Sequence, residues 1–174
     1  MNEGHAISAE THALDLATGI DAFESFFNHE RGRLFRSLCL ITHDRYEAED
    51  LTQETFVRLF ERWDRISPLS DPKAYLYRTA LNLFRSRRRR SALMAKRVLG
   101  PGSVDDGIAA VDERDATVRV LARLPKQQRA AIVLIDLLDF SSDEAAKLLH
   151  IRPSTTRMHL SRARAVLKET MEHA

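Results

Sequence analysis

Two basic blocks that contain no acid are the most chemically pointed feature of this 174-residue chain. The first, residues 85–97, carries Arg85, Arg87, Arg88, Arg89, Arg90, Lys96 and Arg97. The second, residues 152–168, carries Arg152, Arg157, Arg162, Arg164 and Lys168. The opening segment is the reverse, with Glu3, Glu10, Asp15, Asp21, Glu24 and Glu30 all preceding the first cation, Arg31. A formal net charge of +2 averages these extremes away. Separated cationic blocks suit a polyanion-binding protein with two contact surfaces. In the second block, Ser154, Thr155, Arg157, Met158, Ser161 and Arg162 crowd the front of a helix. Thr156, Leu160, Ala163 and Leu167 recur at its back. Arg can pair bidentately with guanine, and Ser or Thr can hold phosphates or bases. The plainer alternative is an amphipathic surface helix with solvated arginines. The absence of acids argues against it, since solvated faces usually mix signs.

The first block follows a helix bearing Tyr75, Tyr77, Arg78 and Asn82, and it opens with Arg85 and Arg88. Aromatic rings beside cations suit unstacked nucleotides, because a ring stacks on any base while the cations hold the backbone. On these residues alone, half-buried tyrosines in a core are an equally good reading. Enzymatic chemistry finds no foothold. The seven histidines show no metal-ligand spacing, and there is neither a phosphate-cradling Gly-rich loop nor a nucleophile elbow. His43-Asp44 reads as a helix cap, and Cys39, among Leu38, Leu40 and Ile41, reads as a buried, inert thiol. No metal, cofactor or internal disulfide is expected. The longest apolar run, Ala130 to Ile135, is too short for a bilayer, and no basic-then-apolar leader opens the chain. The expected location is the cytoplasm, without membrane insertion.

The elements that must position these side chains are all helical. Phe23, Phe27, Leu34 and Leu38 share a face over about residues 21–41. Asp44 and Glu47 cap a helix placing Ala48, Leu51, Thr55, Phe56, Leu59 and Trp63 on one side. Asp71-Pro72 is an N-cap followed by Pro at the first helical position, and Leu76, Ala80, Leu83 and Phe84 follow. Turn chemistry at Gly100-Pro101-Gly102-Ser103 and Asp105-Asp106-Gly107 marks a boundary. Beyond it, helices are expected over about 113–123 and 126–138. A third opens with the capping box Ser141-x-x-Glu144, and a fourth starts at Pro153. Short helix, tight His150-Ile151-Arg152 corner and basic helix form the plan of a helix-turn-helix. The expected architecture is all-α, with two small helical domains joined by a flexible linker. A flexible extension spans 1–20, the domains span 21–93 and 113–174, and the linker spans 94–112.

The ordered motifs resemble one family, the extracytoplasmic-function (ECF) sigma factors of bacterial RNA polymerase. Ala48-Glu49-Asp50-Leu51-Thr52-Gln53-Glu54-Thr55-Phe56 resembles region 2.2, and Ala74-Tyr75-Leu76-Tyr77-Arg78-Thr79-Ala80-Leu81-Asn82-Leu83 with Arg87 to Arg90 resembles regions 2.3 and 2.4. Leu124-Pro125-Lys126-Gln127-Gln128-Arg129 and Ser142 to Leu149 resemble region 4.1 and the first helix of the helix-turn-helix. Ser154-Thr155-Thr156-Arg157 and Leu160-Ser161-Arg162-Ala163-Arg164 resemble the recognition helix of region 4.2.

The resemblance implies a non-enzymatic subunit that binds core polymerase, at the β′ clamp helices and the β flap, and directs it to promoter DNA. Asp50, Gln53, Glu54, Phe56 and Arg58 would dock on the clamp helices, with core packing an equal alternative for Phe56. The loop Asp64–Asp71 with Tyr75, Tyr77, Arg78, Asn82, Arg85 and Arg88 would capture the −10 element. Ser154, Thr155, Arg157, Met158, Ser161 and Arg162 would read the −35 element, and the linker would run toward the RNA exit path. An anti-sigma protein is the regulator that the family implies. The chain departs from the usual pattern with Tyr75 for Trp, Ser86 for a nearby Asp, and His150 and Ser154 for Gly. A free-standing helix-turn-helix regulator is the alternative, separable by whether DNA binding requires core polymerase.

Overall fold

The computed structural model describes residues 3–69, 71–99 and 116–172, with side chains over 19–69, 71–94 and 118–170 and at 172. All elements among them are helical: α1 (Glu3–Thr42), α2 (Arg45–Phe60), α3 (Trp63–Ile66), α4 (Pro72–Leu99), α5 (Ala116–Ala122), α6 (Lys126–Ile132), α7 (Ser142–Leu149) and α8 (Pro153–Glu172). A π-helical turn, Val133–Leu137, continues α6. None of these helices is long and apolar enough to cross a membrane.

Local chemistry sets most helix ends. His43, at φ 61°, takes the left-handed conformation that closes α1, and its N–H bonds the Cys39 carbonyl at 2.9 Å. Asp44 Oδ1 then accepts from the Glu47 N–H at 3.0 Å and caps α2. Asp71 does the same for α4 through the Ala74 N–H at 2.8 Å. At α7 the capping box is complete, since Ser141 and Glu144 each satisfy the other's backbone N–H. Ser141→Ala is expected to cost about 1 kcal/mol in denaturant unfolding, because it leaves the Glu144 N–H without its acceptor.

Three expectations change. The first helix was expected over about residues 21–41, yet α1 continues back to Glu3. Ala6, Ala9, Glu10, Ala13, Leu14 and Ala17 are good helix formers, and no proline precedes Pro68. The helix expected over 126–138 widens at Val133 into the π-turn. Ala130 through Leu134 are all buried across the junction between the two. The short helix α3 adds Trp63 and Ile66 to the core. The linker expected over 94–112 falls largely outside the described residues; α4 runs through its first part to Leu99.

The first half packs α1, α2 and α4 around Leu34, Leu38, Leu51, Leu59, Ile66, Leu76 and Ala80. Phe23, Phe26, Phe27, Phe56, Phe60 and Trp63 form an aromatic cluster between α1, α2 and α3. The second half packs α6, α7 and α8 around Leu134, Leu148, Thr156, Leu160 and Ala163. The two halves also meet, α1 against α6 and α4 against α7.

Candidate nucleic-acid and polymerase interfaces

The C-terminal site is built by a sharp corner. α7 ends at His150, whose φ of 53° and ψ of 42° are left-handed, and the Ile151 N–H bonds the Ala146 carbonyl at 3.1 Å. Pro153 then opens α8 at the position where a missing N–H costs nothing. Thr156, Leu160 and Ala163 are buried, which turns Ser154, Arg157, Met158, Ser161 and Arg162 outward along one face, with Thr155 half-buried beside them. The cations of this helix are not equivalent. Arg164 makes a two-pronged bond to Asp136 of the π-turn, at 2.6 and 3.0 Å. Arg157 lies 3.9 Å from Asp143, and Lys168 lies 3.8 Å from Glu172. Arg152 and Arg162 carry no ion pair among the described residues. An acid-free stretch of sequence is therefore not an unpaired stretch of surface, because other elements supply the acids.

On α4, Tyr75, Arg78, Asn82 and Arg85 recur at three- and four-residue spacing and share a face. Arg88 lies close by, its guanidinium 5.7 Å from the Phe84 ring centre. Tyr77 does not join them. It is 1% exposed, its ring meets Phe140 edge-on at 5.4 Å, and burial pushes its phenol up to about 12. Asn82 Oδ1 accepts from Arg85 at 2.9 Å and lies 3.1 Å from His150 Nε2. Arg85 also donates to the Leu148 carbonyl, and burial together with Arg89 lowers its pKa. The loop Asp64–Asp71 lies within the described residues except at position 70.

On α2, Asp50 and Gln53 are exposed. Glu54 accepts from Arg58 at 2.7 Å and from Arg87 at 2.6 Å, and the Arg87 hydrogen bond holds its carboxyl below the usual range. Arg87 also reaches Asp50 at 3.7 Å, so one member of the arginine block ties α4 to α2. Phe56 is 4% exposed, against Phe27 at 4.8 Å. Among the described residues no cluster of His, Cys, Asp and Glu could hold a metal ion.

Comparison with known proteins agrees with this geometry. Residues 26–93 match the family "Sigma-70 region 2" and residues 114–167 match "Sigma-70, region 4". The RNA polymerase sigma-E factor of Streptomyces avermitilis is 31% identical over 152 residues, covering 86% of this chain and 85% of the relative. The chain is an ECF sigma factor of the sigma-70 family. This sigma factor is also 28% identical over 160 residues to the ECF sigma factor SigM of Mycobacterium tuberculosis, covering 91% of this chain and 82% of that one. Among solved structures, it resembles the sigma factor RpoE of Bartonella quintana in complex with the anti-sigma factor NepR. That likeness has a TM-score of 0.70 at 25% identity, and it covers 86% of this chain and 96% of that one. The region 2 match spans the later part of α1 through most of α4, and the region 4 match spans α5 to most of α8.

The sigma factor also shows surface residues that sequence reasoning passed over. Tyr46, Val57 and Phe60 are 74%, 58% and 55% exposed. With Asp50 and Gln53 they form a stripe along the outer side of α2, spaced four, three, four and three residues apart. Their signal was present in the sequence. Val57 and Phe60 each follow a core residue, Phe56 and Leu59, and one helical step of 100° carries them out of the buried stripe.

Proposed function

We propose that this sigma factor docks on core polymerase through the outer stripe of α2, with Tyr46, Val57 and Phe60 as apolar anchors and Asp50 and Gln53 between them. Glu54 and Arg58, already paired, flank the stripe, while Phe56 acts from the core by holding α2 in place. Tyr75, Arg78, Asn82, Arg85 and Arg88 hold the −10 strand, and Tyr77 packs behind them. Ser154, Thr155, Arg157, Met158, Ser161 and Arg162 read the −35 duplex from the major groove. An anti-sigma partner, of the kind named with RpoE, is the corresponding regulator.

The observation that carries this reading is the single outward face of α8, polar at its N-terminal end and backed by the buried Thr156, Leu160 and Ala163. The test mixes the purified chain with sigma-free core polymerase and a promoter-fragment library and measures which fragments are retained and opened. Retention is expected only with core present, on fragments sharing two spaced elements. Phe60→Asp is expected to weaken association with core about tenfold or more, as loss of an interface aromatic does. Tight sequence-specific binding without core would instead favour a free-standing regulator.

A further inference from the structure

We infer that Met158 reads a thymine of the −35 element, laying its thioether end against the 5-methyl group beside the base pair that Arg162 addresses. The inference deepens the assignment of the outer face of α8 to that duplex and rests on it. Met158 is 40% exposed, whereas Leu160 on the same helix is buried and Val166 and Leu167 are half-buried. Among the described residues of the second half, Leu137 is the other large apolar side chain so exposed, and it lies on the π-turn. The neighbours of Met158 on the outer face, Ser154, Arg157, Ser161 and Arg162, are polar or charged. A long apolar chain in their midst calls for an apolar group on the ligand.

Duplex DNA offers one. The base edges in the major groove present hydrogen-bond donors and acceptors, and the thymine methyl is the apolar group among them. A thioether is only a weak acceptor, so it is poorly suited to the amino groups of adenine and cytosine. Being unbranched and polarisable, it can settle on a methyl without one fixed rotamer.

The place on the helix agrees. α8 opens at Pro153, so Met158 stands in its second turn, near the end that a recognition helix leads into the groove. Arg162 follows four residues later on the same side, about 6 Å along the helix. Stacked base pairs are about 3.4 Å apart, so the two side chains address positions one or two steps apart. Arg157, next to Met158, lies 3.9 Å from Asp143 of α7, which leaves the centre of the face to the thioether.

The test uses holoenzyme, the full chain bound to core polymerase, with promoter fragments selected from a library randomised at the −35 element. In the best-retained fragment each thymine of that element, on either strand, is replaced in turn by uracil, which lacks only the 5-methyl group. At one position the exchange is expected to weaken retention about fourfold, as loss of one buried methyl-sized group does. Met158→Gln and Met158→Ala are both expected to retain thymine and uracil equally there. Glutamine keeps the length of the side chain and alanine removes it. Both are good helix formers, so α8 and its buried back stay as they are. An element that requires no thymine, a parent without a uracil penalty, or a penalty that survives in either variant overturns the role of Met158. Retention by the parent that is indifferent to the −35 sequence overturns the assignment of the α8 face instead.

Discussion

Trp63→Ala is expected to lower stability by about 3–5 kcal/mol, the largest loss from any single side chain considered for this protein. Trp63 is buried, its ring edge-on to Phe23 at 5.3 Å and tilted against Phe26 at 5.2 Å. Phe23 in turn contacts Phe27, Phe56 and Phe60, so the cavity would open at the centre of the aromatic cluster. Truncation removes both the transfer energy of the indole and the contacts of rings that cannot collapse into its place. Trp63→Phe should cost roughly half as much or less. It keeps a ring in the site and removes a buried Nε1–H that has no partner among the described residues. Denaturant unfolding of the three proteins side by side checks this, and equal losses for Ala and Phe would refute the packing account. Because Phe60 belongs to both the cluster and the outer stripe of α2, Trp63→Ala should also weaken polymerase association.

Arg162→Ala is expected to cost about 1–3 kcal/mol of discrimination at one position of the −35 element, roughly a factor of 5 to 150. Arg162 stands on the exposed face of α8 with no ion pair among the described residues, so its guanidinium is available for a base edge. Arg164, only two residues later, is held by Asp136 through two hydrogen bonds. Arg164→Ala should therefore leave base preference unchanged. Retention of randomised −35 fragments by the holoenzyme, with each variant, measures both. If Arg162→Ala weakens all fragments equally and lowers the salt dependence by about one counterion, Arg162 holds a phosphate and the base-reading role fails.

The helices were legible because their signals are short-ranged. Asp44, Asp71 and Ser141 lie within three residues of the N–H groups they cap, and Pro125 and Pro153 mark starts by what proline cannot donate. The face of α8 was legible for the same reason, since Thr156, Leu160 and Ala163 recur at helical spacing. The family followed from the order of several such motifs along the chain.

Other features depended on which element packs against which. A helical period narrows a side chain to an arc but does not say which arc a neighbour will cover. Phe56 is buried where α1 brings Phe23 and Phe27 against α2, whereas Phe60, which also meets Phe23, stays more than half exposed. Tyr77 is buried, where Phe140 of the other half lies against it, apart from the face shared by Tyr75, Arg78, Asn82 and Arg85. The basic stretch at 152–168 looked uncompensated until folding brought Asp136 to Arg164. The contact of His150 with Asn82 joins side chains sixty-eight residues apart. What the amino-acid order determined by itself was most of the helices, their caps and the family, because those depend on neighbours within a turn or two. Tertiary structure alone decided which cations remain unpaired, which aromatics stay exposed and where the two halves meet, because charge pairing and burial depend on distance in space rather than along the chain.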